Sequence, residues 1–320
     1  MGLYILNRFA QTLISILIAS VIIFLIAEAL PGDVAQTVLG QFATEESLEA
    51  LRRKLGLNEP LPTRYLDWLT GILHGDLGTS LSRPGIEIGP LFLRRARNSA
   101  ILALGALVFI IPLSLTLGVL AGLNPGTWID RTISTVTLGL ISFPSFITGL
   151  VLILIFSIGL GILPASSSID PSQGILAQLP SLILPILALS GVMTGYIARH
   201  TRASFIKVMR ADYIRSAVLK GLNRRRVIIK HVLRNALLPT VTVIALNLGY
   251  LLGGAIVVEV TFGYPGMARL VLSAIKHRDI PVMEAALLFV VAAYLVINFG
   301  TDILYTILDP KLRYGGQGER

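Results

Sequence analysis

Cysteine is missing from this 320-residue sequence, and charged residues are scarce, at 14% of the total. The lack of cysteine excludes disulfide bonds, thiolate metal sites and a cysteine nucleophile. Soluble globular proteins carry about 25% charged residues, whereas this chain combines its few charges with 54% hydrophobic residues. The composition therefore predicts an integral membrane protein.

Groups that an enzyme or an autonomous pump needs are also missing. No lysine follows a glycine, which excludes the phosphate-binding loop GxxxxGK, and neither HExxH nor GxSxG occurs. No pair of carboxylates is predicted in a cleft. Ion-coupled carriers usually hold acidic residues or histidines inside their spans. Here these residues lie near span ends or in predicted loops: Glu28, Glu259, Glu284, Asp302, His74, His200, His231 and His277. We therefore predict that the energy for any uphill transport arrives from another protein.

Six apolar windows are long enough to cross a membrane, since a spanning helix needs about 20 mostly apolar residues. They are roughly 9–29, 99–122, 133–162, 180–198, 237–258 and 283–307. Prolines are expected inside three of these spans, at Pro112, Pro144 and Pro185. The first window could be a signal peptide, but its apolar run of about 18 residues exceeds the usual length of about 7 to 15. A retained span is favoured.

The distribution of positive charge predicts the orientation, because loops rich in lysine and arginine stay in the cytoplasm. Residues 199–234 contain eleven of these residues and one acid, whereas 31–98 balances eight basic against eight acidic residues. This bias places 199–234, the loop 124–131 and both termini inside, and 31–98, 164–179 and 259–282 outside. The net charge of +9 is accordingly attributed to orientation and not to a nucleic-acid partner.

The outer segment 31–98 is predicted to contain two short helices. Thr44 suits the N-cap of a helix that starts with two glutamates, and Gly56 suits its end. The leucines of this helix share one face: Leu48, Leu51 and Leu55. The stretch "PLPTRYLDWLTGIL" (60–73) predicts a second, amphipathic helix. A lid at the membrane surface and a docking surface for an external partner both remain open.

The densest positive charge lies in "DYIRSAVLKGLNRRRVIIKHVLRNALLP" (212–239), between two apolar windows. Asp212 suits the N-cap of a helix of about two turns, and Gly221 suits the position after its end. Asn223 can cap a second helix. Ala217 and Gly221 are four positions apart, which predicts a shared small face that another protein can approach closely.

The arginines at 224–226 allow two interpretations. Anionic lipid headgroups attract such residues, and this explanation has about the same weight as docking to a protein. Lipid does not explain the capped helix before the arginines, which is therefore interpreted as a docking element.

The stretch "YIRSAVLKGL" resembles the EAA loop of permease subunits from ABC importers of the dipeptide/oligopeptide/nickel class. The general pattern E-A-A-x-x-x-G falls on Arg215, Ser216, Ala217 and Gly221. Arg215 and Ser216 depart from that pattern but are similar to the peptide class. Further stretches resemble family landmarks in the expected order: "ALPGD" (29–33), "GDLGTSL" (75–81), "FPSF" (143–146), "FGYPGMARL" (262–270) and "DPKLRY" (309–314).

The resemblance implies an all-α integral membrane protein of the type I ABC importer permease fold, with six transmembrane helices and both termini in the cytoplasm. Its implied parts are the first helix with the N-terminus, a structured periplasmic loop, a five-helix core and a cytoplasmic tail. These correspond to residues 1–30, 31–98, 99–308 and 309–320, with the cytoplasmic EAA loop at about 199–236.

The resemblance also implies partners and a location. The partners are a homologous second permease, two ABC ATPase subunits that bind ATP and Mg, an extracytoplasmic substrate-binding protein and membrane lipid. This chain would bind no cofactor and would lie in a bacterial or archaeal cytoplasmic membrane. The ATPase contact is expected at Asp212, Tyr213, Arg215, Ser216, Ala217, Lys220 and Gly221.

Polar residues within the spans are candidates for a substrate path: Ser142, Ser145, Thr148, Ser190, Thr194, Thr242, Asn247 and Tyr250. Hydrogen bonding between helices is the favoured explanation for them. Peptides are the leading cargo, with nickel chelates, glutathione and oligosaccharides as alternatives. A stand-alone secondary carrier or channel and a membrane enzyme are the competing classes of function.

Overall fold

A computed structural model describes residues 2–30, 34–40, 43–54, 56–83, 85–168 and 175–308. These residues are almost entirely helical, without any strand, and one isolated bridge pairs Thr79 with Glu87. The chain divides into two compact units. The first unit holds residues 101–264 and the chain from residue 297, and the second unit holds 2–100 and 265–296.

The α-helices of the described ranges are numbered here in chain order. They are α1 (Gly2–Glu28), α2 (Val34–Leu39), α3 (Glu45–Lys54), α4 (Leu61–Leu73), α5 (Ile88–Leu123), α6 (Trp128–Ser142), α7 (Ser145–Leu152), α8 (Leu179–Met209), α9 (Asp212–Leu219), α10 (Arg224–Arg226), α11 (Arg234–Thr261), α12 (Met267–Lys276) and α13 (Ile280–Leu308). Two π-helical segments continue α7 and join α10 to α11, at Ile153–Gly159 and Val227–Leu233, and a 3-10 turn, Ile175–Gln178, precedes α8.

Five helical stretches among the described residues are long and apolar enough to cross a membrane: α1, α5, α8, 224–251 and α13. A sixth is present if α6 and α7 count as one span, although they are bent by 106° at the break between them. The six predicted windows thus all fall on helices, but the third is not one straight helix. The predicted loop at 199–234 is also wrong at its start, because α8 continues to Met209.

Pro144 separates two helices where the sequence predicted a proline inside one span. Phe143 is extended, with φ −100° and ψ 129°, and Pro144 itself is the N-cap of α7. The residue before a proline is sterically disfavoured in the helical region, which explains the break. Pro112 and Pro185 do lie inside α5 and α8, as predicted.

Helix α8 forms the centre of the first unit, where it packs against α6, α7 and α11. Within its most apolar stretch, 67% is buried. Glycines allow close approach of the neighbouring helices. A Cβ atom added to Gly118 would lie 2.4 Å from the Thr201 Cβ, and one added to Gly195 would lie 2.6 Å from the carbonyl oxygen of Thr137. Such small-residue contacts are typical of helix packing in lipid, where close van der Waals contact replaces the hydrophobic effect.

The second unit confirms the helices predicted in the outer segment. The Thr44 hydroxyl accepts a hydrogen bond from the Ser47 amide at 3.3 Å at the start of α3. Gly56 follows α3 with φ +67°, which a residue with a side chain adopts only at a cost. Leu48 is buried in this helix, while Leu55 of the predicted face lies outside the described residues.

Helix α4 packs on the end of α1 through aromatic and charged side chains. Phe24 of α1 contacts Tyr65 and Trp68 of α4, with ring centroids 5.5 and 5.9 Å apart. Beside them, the Arg64 guanidinium donates to both carboxylate oxygens of Glu28, at 2.5 and 2.7 Å. The amphipathic helix predicted at 60–73 therefore lies on α1 of its own unit.

Candidate functional site

Helix α9 is connected to α8 by only two residues, Arg210 and Ala211. Ala211 is the N-cap, with extended backbone (φ −72°, ψ 143°), and no side chain caps the helix. The prediction that Asp212 is the N-cap is therefore wrong, because Asp212 is already the first helical residue. Its carboxylate still lies in the first turn, where the helix dipole favours negative charge.

The turn that follows α9 has the predicted geometry. Gly221 adopts φ +78°, and the Leu222 amide donates to the Ala217 carbonyl at 3.3 Å. Asn223 then caps the next helix, since its side-chain oxygen accepts from the Arg225 amide at 3.1 Å. The end of α9 and the start of α10 were thus predictable from two residues with local conformational roles.

One face of α9 packs against other segments of the first unit. Ile214 and Ala217 are buried in a cluster with Phe205 of α8 and with residues of the chain after α9, namely Val227, Val232 and Ala236. Ala217 is only 9% exposed, and Gly221 lies beyond the helix end. The predicted open small face shared by Ala217 and Gly221 is therefore wrong, because the alanine methyl is covered by this chain itself.

The opposite face of α9 is exposed. Leu219 is 81% exposed, and Val218 and Tyr213 are also exposed apolar side chains. The remaining residues expected at the ATPase contact surround them on the surface: Asp212, Arg215, Ser216, Lys220 and Gly221. Exposed apolar groups rimmed by charged residues are typical of protein interaction sites.

Two hydrogen bonds join α8 and α9 to the start of α11. The Tyr213 hydroxyl accepts from the Asn235 side-chain amide at 3.0 Å. The Ser204 hydroxyl of α8 donates to the Ala236 carbonyl at 2.8 Å. Together with the buried cluster, these bonds join α8, α9 and the start of α11 into one packed block.

A buried ion pair fixes α8 to the start of α6. Arg202 donates to both oxygens of Asp130, at 2.5 Å from Nε and 2.8 Å from Nη2. The Gly126 amide also donates to Asp130 at 2.8 Å, and the Asp130 side chain is 4% exposed. Sequence reasoning missed this pair, for which a single acid in the loop 124–131 was the only signal.

The predicted path residues do not share one surface. Ser190 and Thr194 are buried in the packing of α8, Ser142 and Tyr250 are exposed, and Ser145, Thr148, Thr242 and Asn247 are partly buried. Three of the eight donate to carbonyls of their own helices at 2.6 to 2.8 Å: Ser142, Ser190 and Asn247. These bonds lie within single helices and not between helices, which was the role favoured for these residues.

Several landmark stretches make hydrogen bonds between distant segments of the second unit. Asp279 accepts hydrogen bonds from the Ser80 hydroxyl, the Ser82 hydroxyl at 2.6 Å and the Leu81 amide at 3.1 Å. Asn98 donates to the Pro265 carbonyl at 2.8 Å. The stretches at 75–81 and 262–270 are thus held by buried polar contacts, whereas 31–33 and 309–314 lie outside the described residues.

Tyr264 is the last residue of the 101–264 segment of the first unit, and its ring is fully buried. Burial, together with the nearby Glu259 carboxylate, raises the pKa of the Tyr264 phenol. The phenol therefore stays neutral at physiological pH and acts as a packing group.

Comparison with known proteins identifies the family. The model "Binding-protein-dependent transport system inner membrane component" matches residues 114–314, and a model for the N-terminal part of such membrane components matches residues 1–86. The chain belongs to this family of binding-protein-dependent transport components. The resemblance based on the 213–222 stretch and its landmarks is thereby confirmed, and so is the inner-membrane location.

Full-length relatives place this permease in the peptide/oligopeptide class of ABC importers. The probable peptide ABC transporter permease protein y4tP of Sinorhizobium fredii is 35% identical over 314 residues, which are 98% of this chain and 100% of the relative. The glutathione transport system permease protein GsiC of Escherichia coli K12 is 36% identical, over 97% of this chain and 99% of the relative.

A solved structure supports the permease fold. The structure described as "Crystal structure of an amino acid ABC transporter with histidines" matches with a TM-score of 0.53 at 15% identity. The match covers 69% of this chain and 94% of that chain. At this level of identity the likeness concerns the fold alone.

Proposed function

We propose that this permease forms the translocation path of an ATP-driven importer of di- and oligopeptides together with a second, homologous permease. In this proposal both termini and α9 lie in the cytoplasm, and a binding protein delivers the cargo from the other side. The basic residues of 199–234 support the orientation. The relatives are named as peptide and glutathione permeases, and these names support the cargo class.

The observation that carries the coupling role is the two-sided character of α9. Its exposed face presents Leu219 and Val218 among charged residues, and its other face is buried against α8 and the chain after α9. Because only two residues connect α8 and α9, the two helices have little freedom to move independently. Because interfaces and packed cores move as blocks, a displacement of α9 would be passed to α8 and α11.

The ATP and Mg are assigned to two ATPase subunits, each bound to one permease. When the ATPases close on ATP, they would displace α9 and the equivalent helix of the second permease. This displacement would convert the path from inward-facing to outward-facing. The residues proposed for the ATPase contact are now Asp212, Tyr213, Arg215, Ser216, Lys220 and Gly221 from the sequence, with Val218 and Leu219 added from the structure. Ala217 is proposed to hold α9 on its own unit.

The coupling role is tested by Leu219→Glu. A carboxylate in place of an exposed leucine should prevent docking, so that the ATPase subunits no longer co-purify with the tagged permease and nucleotide-driven uptake is lost. Leu66→Glu is the matched control, since Leu66 is an exposed leucine of α4. Co-purification of the ATPases with Leu219→Glu at the wild-type level would contradict the proposal.

Gly221 offers a second test that separates backbone conformation from surface chemistry. Asparagine tolerates the left-handed conformation after a helix, and a Cβ atom at this position would meet nothing within 4 Å. We therefore expect Gly221→Asn to transport normally and Gly221→Arg to insert into the membrane but lose transport. Equal transport by both variants would argue against an ATPase contact at this turn.

The orientation is testable because the sequence contains no cysteine. In right-side-out vesicles, a membrane-impermeant maleimide should label Asp67→Cys and leave Leu219→Cys unlabelled until the vesicles are opened. The reverse pattern would invert the proposed topology.

The cargo is tested with the assembled transporter in proteoliposomes together with its binding protein. Uptake of a labelled dipeptide should require ATP and should exceed uptake of glutathione, a nickel chelate and an oligosaccharide. If one of these other solutes is preferred, the proposed class of transporter would still hold and only the proposed cargo would be wrong. Accumulation driven by an ion gradient in liposomes that hold this chain alone would instead favour a secondary carrier.

A further inference from the structure

A cavity of about 560 Å³ lies in the second unit, between α1, α4 and the start of α13. Its floor consists of the buried residues Phe24, Ala27 and Glu284, and one wall is the Arg64–Glu28 ion pair. Exposed charged residues form its rim: Lys54, Glu59 and Asp67. The cavity therefore leads from an exposed charged rim to a buried carboxylate.

Glu284 is the unusual group of this cavity. It is 4% exposed, and its Oε1 atom has no hydrogen-bond partner among the described residues. The nearby Arg64 guanidinium is already engaged by both oxygens of Glu28. An unpaired buried carboxylate is costly, and either a proton or a cation can relieve that cost, so a cation that reaches the floor would find a partner in Glu284.

The charges around the cavity also favour a cationic ligand. Once the Arg64–Glu28 pair is set aside as neutral, the exposed rim has two acidic side chains and one basic side chain, a net charge of −1, and a cation at the floor would favour the ionised form of Glu284. This excess occurs in a chain whose total net charge is +9. Since Asp67 and Glu59 lie at the rim, they would attract a cation before it reaches Glu284.

The lining favours the side chain of a lysine over a metal ion. Among the residues that the structure describes, no group of three or more metal-binding side chains is close enough to hold a metal. One free carboxylate suits a compact ammonium group. Trp68, Phe24 and Leu30 also line the cavity, and such apolar walls suit the methylene stem of a lysine.

We propose that this cavity receives a lysine side chain of the substrate-binding protein. The proposal rests on the function and orientation proposed above, which place the second unit's outer segment on the side of that protein. The ammonium group pairs with Glu284 at the floor, and the stem lies along Trp68. Binding of this lysine anchors the binding protein to α1, α4 and α13.

The first test measures the affinity of the purified binding protein for the assembled transporter in nanodiscs. Glu284→Gln keeps the shape of the floor but removes its charge, so the dissociation constant should rise at least about tenfold, since losing one partner of a buried charge pair is costly. Glu46→Gln, at an exposed position of α3, should leave affinity within about twofold. Unchanged affinity of Glu284→Gln would overturn the proposal.

The second test identifies the ligand directly. Leu57, which lines the cavity, is replaced by cysteine and coupled to a short reagent with maleimide and succinimidyl ester ends. Mass spectrometry should find a cross-link to one lysine of the bound binding protein, and the link should disappear when that lysine is changed to alanine.

The outcomes separate this proposal from the proposed function. A cross-link only to the amino terminus of a peptide cargo, or no link in a complex that forms normally, would refute the lysine site and leave the transport function intact. Failure of the wild-type transporter to bind any binding protein would refute both.

Discussion

Two arginine–carboxylate pairs, one in each unit, are both bidentate but have different surroundings. Asp130 accepts from Arg202 and also from the Gly126 amide, so both of its oxygens have partners. Glu28 likewise engages Arg64, but a further buried carboxylate, Glu284, lies within electrostatic reach of that pair. The comparison indicates that a saturated pair holds helices together, whereas an excess carboxylate beside such a pair leaves room for an external cation.

The unpaired carboxylate of Glu284 is a local feature, because other buried carboxylates of the second unit have partners. Asp279 lies in the same unit and is also buried, yet neutral donors on residues 80–82 surround its carboxylate. A buried carboxylate can thus be satisfied there without a cation from outside. This contrast distinguishes Glu284 from its neighbours.

Loss of the saturated pair should have the largest effect on stability. Asp130→Ala leaves the one-third-exposed Arg202 guanidinium without its carboxylate and should lower the free energy of unfolding in detergent by about 2–4 kcal/mol. Adding Arg202→Met should restore most of that loss, because it removes the stranded charge. A destabilisation that the second change does not relieve would show that the pair is not the main contribution of Asp130.

Asp279→Asn should have the next largest effect. One oxygen becomes an amide nitrogen that cannot accept from the serine hydroxyls, so the free energy of unfolding should fall by about 1–3 kcal/mol. Proteolysis of the stretch 75–88 should also become faster. Asp76→Asn is the control, since the exposed Asp76 carboxylate accepts only from the Gly78 amide among the described contacts, and the stretch should then resist proteolysis as in the wild type.

Glu28→Ala should cost less than Asp130→Ala, although it also breaks a bidentate pair. Glu284 is close enough to interact with Arg64 and can take over as its partner, so we expect a loss of about 1 kcal/mol. The double variant Glu28→Ala/Glu284→Gln should lose more than the sum of the single changes. Additive losses would mean that Glu284 does not compensate.

Glu284→Gln alone should change the free energy of unfolding least, by less than about 1 kcal/mol, because the amide keeps the shape of a side chain whose Oε1 atom has no partner among the described residues. Its effect should instead appear in binding-protein affinity. A destabilisation of about 2 kcal/mol or more would place Glu284 with Asp130 and Asp279 as a structural carboxylate.

Local features were predictable where a residue acts through its own backbone or its nearest neighbours. Thr44, Gly56, Gly221 and Asn223 occupy the cap and turn positions that their chemistry favours. The prediction failed at Asp212, because Ala211 was already extended and so left the aspartate inside the helix. It also failed for Ala217, since spacing shows which residues share a face and does not show whether that face is covered.

Composition, six apolar windows, the basic bias of 199–234 and the order of short landmarks were enough to determine the membrane class, the family and most helices, because hydrophobic length and backbone preference act over a few turns of chain. Only the tertiary structure decided that α6 and α7 meet at 106°, that α9 buries Ala217 and exposes Leu219, and that Glu28, Arg64 and Glu284 line one cavity. These features join residues up to 256 positions apart, as Glu28 and Glu284 are. Helix packing creates such proximity, and it leaves no periodic trace in the sequence.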